Sequence, residues 1–127
     1  MPYSDKLLEY FRNPKNVGEI KDADGIGRVG NPVCGDVLAL FIKVKDNRIV
    51  DAKFQTYGCI AAIGTSSALT EMIIGKTIDE ALKITNQTIT EAVGGVPPIK
   101  RHCSVLAEQA LRAAVEDYQK KLASGQK

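Results

Sequence analysis

Val37-Leu38-Ala39-Leu40-Phe41-Ile42-Lys43-Val44-Lys45-Asp46-Asn47-Arg48-Ile49-Val50-Asp51-Ala52-Lys53-Phe54-Gln55-Thr56-Tyr57 is two strand patterns around a two-residue turn. In the first, Leu38, Leu40, Ile42 and Val44 share one face, with Lys43 and Lys45 on the other. This period of two belongs to a half-buried strand. Asp46-Asn47 supplies the turn, because both residues tolerate positive φ. The return strand places Val50, Ala52 and Phe54 toward the core, and Asp51, Lys53 and Gln55 toward water. An antiparallel hairpin with one wet face is the expectation.

Helical signals flank it on both sides. Ser4 caps a short first helix with Leu7, Leu8 and Phe11 on one face, and Asn13-Pro14 ends it. After the hairpin, Gly58-Cys59 opens a helix to about Ile74, with Ala62, Leu69, Met72 and Ile73 inward and Gly75 as its stop. Thr77-x-x-Glu80 and Thr88-x-x-Glu91 are two capping boxes, each starting a short helix. A last helix begins near His102-Cys103-Ser104 and runs to about Leu122, with Leu111, Val115, Tyr118 and Leu122 as its stripe. Before it, Val96-Pro97-Pro98-Ile99-Lys100 must be extended, and is expected to be exposed, because proline disfavours the α region for its predecessor. The order predicts an α+β fold: a small three-stranded antiparallel sheet with several helices packed on one face.

Gly25-Ile26-Gly27-Arg28-Val29-Gly30 fits G-x-G-x-x-G, but a dinucleotide site needs a buried strand before it and a helix after it. Lys21-Asp22-Ala23-Asp24 precedes and Asn31-Pro32 follows, so a glycine-rich edge strand or loop is expected instead. The chain reads as a single domain over residues 1–127, with 123–127 a frayed tail. A formal net charge of +2 argues against nucleic acid or an anionic membrane as the main partner. No apolar run reaches the roughly 20 residues of a membrane helix. The start of the chain carries no export signal, which makes a cytoplasmic location the default.

The three cysteines cannot form a fully paired disulfide set. Cys34 stands in Asn31-Pro32-Val33-Cys34-Gly35-Asp36, two residues from a carboxylate; Cys59 and Cys103 each fall where a non-helical stretch becomes a helix. A helix N-terminus favours the thiolate, the form that ligates metal or attacks sulfur. His102, the sole histidine, adjoins Cys103. The residues are those of a metal or iron–sulfur site. On spacing alone, buried cysteines, a turn aspartate and a cap histidine are the better account, since no C-x-x-C pair is present.

The motifs decide between these accounts. Tyr3-Ser4 through Asn13-Pro14-Lys15-Asn16-Val17-Gly18, Val29 through Asp36, Thr56-Tyr57-Gly58-Cys59 with Ala62-Ile63 and Ser66-Ser67, and Val96 through Lys100 followed by His102-Cys103-Ser104 occur in order. Over nearly its whole length the chain resembles the IscU/NifU-type iron–sulfur cluster assembly scaffolds.

The resemblance implies a non-enzymatic scaffold on which a labile cluster, typically 2Fe–2S, is built from iron and persulfide sulfur and passed to apo iron–sulfur proteins. It implies Cys34, Cys59 and Cys103 as ligands, Asp36 or His102 as the fourth, and Cys103 as persulfide acceptor. A cysteine desulfurase is the implied sulfur donor. A frataxin-like protein, a ferredoxin and an Hsp70/J-type chaperone pair are further implied partners, the chaperone docking on Val96, Pro97, Pro98, Ile99 and Lys100. The resemblance also admits a homodimer, and zinc in the cluster-free form. The chain departs from the pattern at Arg101, where the family usually has an apolar residue, and at Ile60-Ala61, where many relatives have glycine and serine. A zinc-binding sulfurtransferase would use the same ligands, but the residues between Cys59 and Cys103 leave no room for that branch's insertion.

Overall fold

The computed structural model describes residues 4–31, 36–57, 60–97 and 101–123, with Asn31, Asp36 and His102 described through their backbone alone. β2 (Asp36–Lys45) and β3 (Arg48–Tyr57) form the expected hairpin, and Asp46 and Asn47 take φ of 53° and 62° in its turn. Two positive φ values at the centre of a two-residue turn match the right-handed twist of the strands. β1 (Gly25–Asn31) pairs antiparallel with β2, giving the sheet order β1-β2-β3.

Leu38, Leu40, Ile42 and Val44 are all buried on one face, as their alternation predicts. The return strand differs at one position. Lys43 stands opposite Asp51 but Val44 stands opposite Ile49, so Val50 has no residue across from it. This bulge shifts the pleat by one, which turns Ile49 into the core and leaves Val50 47% exposed. The outer face is not uniformly wet either. Phe41 is buried there, with the Arg28 guanidinium 6.0 Å from its ring centroid.

α1 (Asp5–Arg12) is capped by Ser4, whose hydroxyl accepts the Leu7 N–H at 3.0 Å. Beyond it, residues 15–18 fasten to what they cross. Lys15 N–H donates to Ser67 Oγ at 2.7 Å and Asn16 Nδ2 to Thr70 Oγ1 at 3.0 Å, while along the β3 edge Gly18 N–H donates to the Phe54 carbonyl and Phe54 N–H to the Asn16 carbonyl.

α2 (Ile60–Ile73) does not have the single apolar face expected of it. Ala61, Ala62, Gly64, Thr65, Ser66, Ser67, Ala68, Leu69, Thr70 and Ile73 are all buried, and Met72 only half so. The helix packs against α1, β3, α4 and α5, so nearly its whole circumference is covered. Small side chains permit that enclosure, and their hydroxyls find partners: Thr65 donates to the Ala61 carbonyl at 2.7 Å.

α3 (Ile78–Leu82) carries the full capping box between Thr77 and Glu80. α4 (Asn86–Ala92) starts three residues earlier than its sequence suggests, with Thr85 rather than Thr88 as its cap. A distant carboxylate moves the start: Glu108 of α5 accepts the Asn86 N–H at 2.6 Å and its side-chain amide at 3.0 Å. α5 (Arg101–Ala123) lies along β1 and β2, burying Ala107, Ala110, Leu111, Ala114, Val115 and Tyr118. Leu122 does not continue the stripe and is 53% exposed. Tyr118 already packs over Gly25, the first residue of β1, so the next turn overshoots the sheet. Among the described residues, no helix is long and apolar enough to cross a membrane.

Candidate metal centre

One end of the sheet collects the chain segments that matter. Asn31 ends β1 opposite Asp36, which starts β2, so residues 32–35 must leave and return there. Val37 lies opposite Tyr57, the last residue of β3, so the link to α2 starts at the same end. Cys34 belongs to the first connection and Cys59 to the second; both lie outside the described residues.

α5 brings the third segment. A Cβ at Gly25 would run into the Ala114 carbonyl and Tyr118, and one at Gly27 into the Ala110 carbonyl and Ala114. Helix and strand therefore run in opposite directions in direct backbone contact. From Gly27, β1 travels roughly 13 Å to reach Asn31. From Ala110, α5 travels roughly 10 Å back to reach Cys103. The two arrive at the same end of the sheet. The G-x-G glycines lie on an edge strand, as expected, and serve helix–strand packing.

Cys103 is buried, at 2% exposure. It shares an apolar cluster with Leu7, Ala61, Ala62, Ala68 and Val93, with Tyr10 and Val96 at its margin. Ala61 and Ala62 open α2 just after Cys59, so the cluster ties the second and third cysteine segments together. Ser104, the next residue, accepts a hydrogen bond from Thr90 Oγ1 at 2.9 Å, anchoring the α5 start to α4. Neither α2 nor α5 has an acidic side chain in its first turn to oppose a thiolate.

Of the other predicted site residues, Asp36 is placed as the first residue of β2 and His102 as the second of α5, through backbone alone. Pro98, Ile99 and Lys100 lie outside the described residues. The exposure expected of the proline segment fails in its described half: Val96 is half-buried and Pro97 buried. The cause is the apolar cluster beneath, which offers Val96 more contact than solvent does.

Sequence reading missed the contribution of α1. Leu7 is completely buried and reaches Gly64, where any larger residue would collide with it. Tyr10 Oη donates to Glu71 Oε1 at 2.7 Å. That bond to a carboxylate, then partial burial, then the Glu71 charge push the phenol up to about 12. The glycine inside α2 was the available signal, since a helix interior tolerates glycine at a cost.

The NifU-like N-terminal domain family model matches residues 2–124. Two proteins of Archaeoglobus fulgidus, described as iron–sulfur cluster assembly scaffold proteins IscU 1 and IscU 2, are each 64% identical over 119 residues, 94% of this chain and 78% of theirs. The Escherichia coli scaffold protein IscU is 50% identical over 125 residues, covering 95% of this chain and 97% of its own. Among solved structures, a NifU-like N-terminal protein from Brucella abortus matches with a TM-score of 0.79 at 18% identity, over 93% of this chain and 94% of that one. A protein described as a scaffold for the SUF system of Fervidobacterium islandicum matches at 0.77 and 26% identity, over 89% and 96%. This chain belongs to the NifU-like N-terminal domain family.

Proposed function

We propose that the chain is a single-domain scaffold on which a labile iron–sulfur cluster is assembled and from which it is handed to apo-proteins. The observation that supports the reading is topological: the strand ends on either side of Cys34, the end of β3 before Cys59 and the start of α5 holding Cys103 lie at one end of the sheet. Cys34, Cys59 and Cys103 supply three thiolates to the cargo, a 2Fe–2S cluster, and Asp36 or His102 supplies the fourth ligand. Four soft thiolates would suit permanent storage. One hard oxygen or an imidazole in their place weakens the grip, which a protein that must give its cargo away needs.

Sulfur arrives at Cys103 from the persulfide of a cysteine desulfurase in a reducing, cytoplasmic compartment. The Cys103 thiolate attacks the outer sulfur of the donor, the donor's S–S bond breaks, and the donor cysteine leaves as thiolate. No net oxidation occurs in that exchange. Freeing sulfide from the Cys103 persulfide then takes two electrons, which a ferredoxin supplies; a frataxin-like protein is a further partner. The segment from Val96 to Lys100 is the docking place for an Hsp70-type chaperone, and engaging Val96 and Pro97 requires lifting them from the apolar cluster.

The test is anaerobic incubation with iron, cysteine and a desulfurase, followed by the visible spectrum and the iron-to-sulfide ratio. A brown product with equal iron and sulfide is expected. A colourless protein that keeps zinc while turning over persulfide would overturn the scaffold reading in favour of a sulfurtransferase.

A further inference from the structure

A receptor for extended peptides grips a short stretch by its backbone and its alternate side chains, so it needs that stretch clear of the protein. Val96 and Pro97 are not clear: Val96 packs against the apolar cluster and Pro97 is buried. The two residues before them decide how they leave.

Gly95 N–H donates to the Thr90 carbonyl at 2.8 Å and Gly94 N–H to the Glu91 carbonyl at 3.0 Å. This pair of bonds is the glycine cap in which a helix ends by reversing through the left-handed region. Gly94 has a φ of 76° and Gly95 a φ of 102°. The two glycines differ in what requires them. A Cβ at Gly94 would stand 3.2 Å from Ser4 Oγ, so space as well as φ asks for glycine there. A Cβ at Gly95 would meet nothing within 4 Å among the described residues, so its backbone conformation alone does. That conformation belongs to the docked segment, since it leads the chain from the end of α4 to Val96 on the cluster. Once the bond to Thr90 breaks and the chain extends, residue 95 can take the negative φ open to any residue.

We propose that Gly95 is the hinge of this segment: its positive φ keeps Val96 and Pro97 against the protein, and its release presents them to a chaperone. The inference rests on reading residues 96–100 as the chaperone's docking place. An L side chain at position 95 strains the docked state and leaves the extended one unstrained, so it shifts the balance toward presentation. Gly75 supplies the matched comparison. It too has a positive φ, 92°, and open space for a Cβ among the described residues, but it follows α2 and bonds to Ile49 near the start of β3. Strain there lowers the stability of the whole fold and favours neither state of the segment.

Two measurements are made on the full-length, metal-free protein: amide hydrogen exchange at residue 95, corrected for its intrinsic rate, and binding to an Hsp70-type chaperone in its ADP state. The free peptide of residues 94–102 is the reference ligand. Gly95→Ala should speed the exchange about tenfold, the effect of one alanine held at positive φ. It should also tighten chaperone binding about tenfold, toward the affinity of the peptide, because a larger share of the protein is then competent to bind. Gly75→Ala should leave both within about twofold of wild type, as a distant site does. Unchanged exchange in Gly95→Ala overturns the hinge. So does an equal rise in Gly75→Ala, because residue 95 would then open only with the whole domain. If the peptide binds and the exchange responds, yet Gly95→Ala binds no tighter than wild type, opening does not present the segment and the proposal falls. If the exchange responds but the peptide itself does not bind, the hinge stands and the docking role falls.

Discussion

The Ala110 carbonyl oxygen lies where the Cβ of any other residue at position 27 would have to go, so Gly27 sets the distance between α5 and β1. That separation also sets where α5 delivers Cys103. Gly27→Ala must push backbone against backbone, which costs about 1–3 kcal/mol or more. The urea midpoint should fall with the m-value unchanged, and cluster yield should fall with it. Wild-type stability in this variant would show that the contact is not limiting.

Removing any one thiolate should abolish stable cluster binding. Cys34→Ala, Cys59→Ala and Cys103→Ala are each expected to give no lasting brown product after reconstitution, with far-ultraviolet circular dichroism unchanged. Full iron and sulfide occupancy in one of them removes that cysteine from the ligand set.

Asp36→Ala should act in the opposite direction. With the hard oxygen gone, the cluster is expected to survive chelator or oxygen longer than in wild type and to transfer to an apo-ferredoxin more slowly. Faster loss in the variant would rule out Asp36 as the ligand that permits release.

Asp117 gives the fold part of its dependence on pH. Partial burial pushes its carboxyl up, but the Ile26 N–H, the Lys121 hydrogen bond and charge, and the Lys120 charge together hold it below the ordinary value of 3.8. A depressed folded value means that the contribution is complete above the unfolded value and disappears as pH falls through the folded one. The stability gap between wild type and Asp117→Asn should therefore be widest near neutrality and close below pH 3.8. A gap of constant size in urea titrations from neutral to acid would contradict this account.

The parts of the fold that were legible in sequence are those with local causes. Asp46-Asn47 needs only its own φ preferences, and the Thr77–Glu80 capping box only its own four residues. The misreadings share the opposite feature. Val50 faces water because a bulge forms against β2, Leu122 because the sheet ends beneath α5, and α4 begins at Thr85 because Glu108 reaches it from another helix. Each cause lies across the fold from its effect. The close packing of α1 on α2 was hidden for the same reason, since Leu7 and Gly64 meet only after α1 has docked on α2.

By itself the sequence determined the hairpin, the helix order, the glycine-rich edge strand and the identity of the chemically capable residues. Periodicity and caps are printed in runs of neighbours, and four motifs in order carry the family likeness. Only the tertiary structure decided that the glycines of G-x-G serve α5, that the strand ends flanking the Cys34 and Cys59 connections lie at the end of the sheet where α5 begins, and that Cys103 is buried. Those facts depend on two backbones touching and on which surfaces cover one another. Such contacts join residues far apart in the chain, and no local pattern records them.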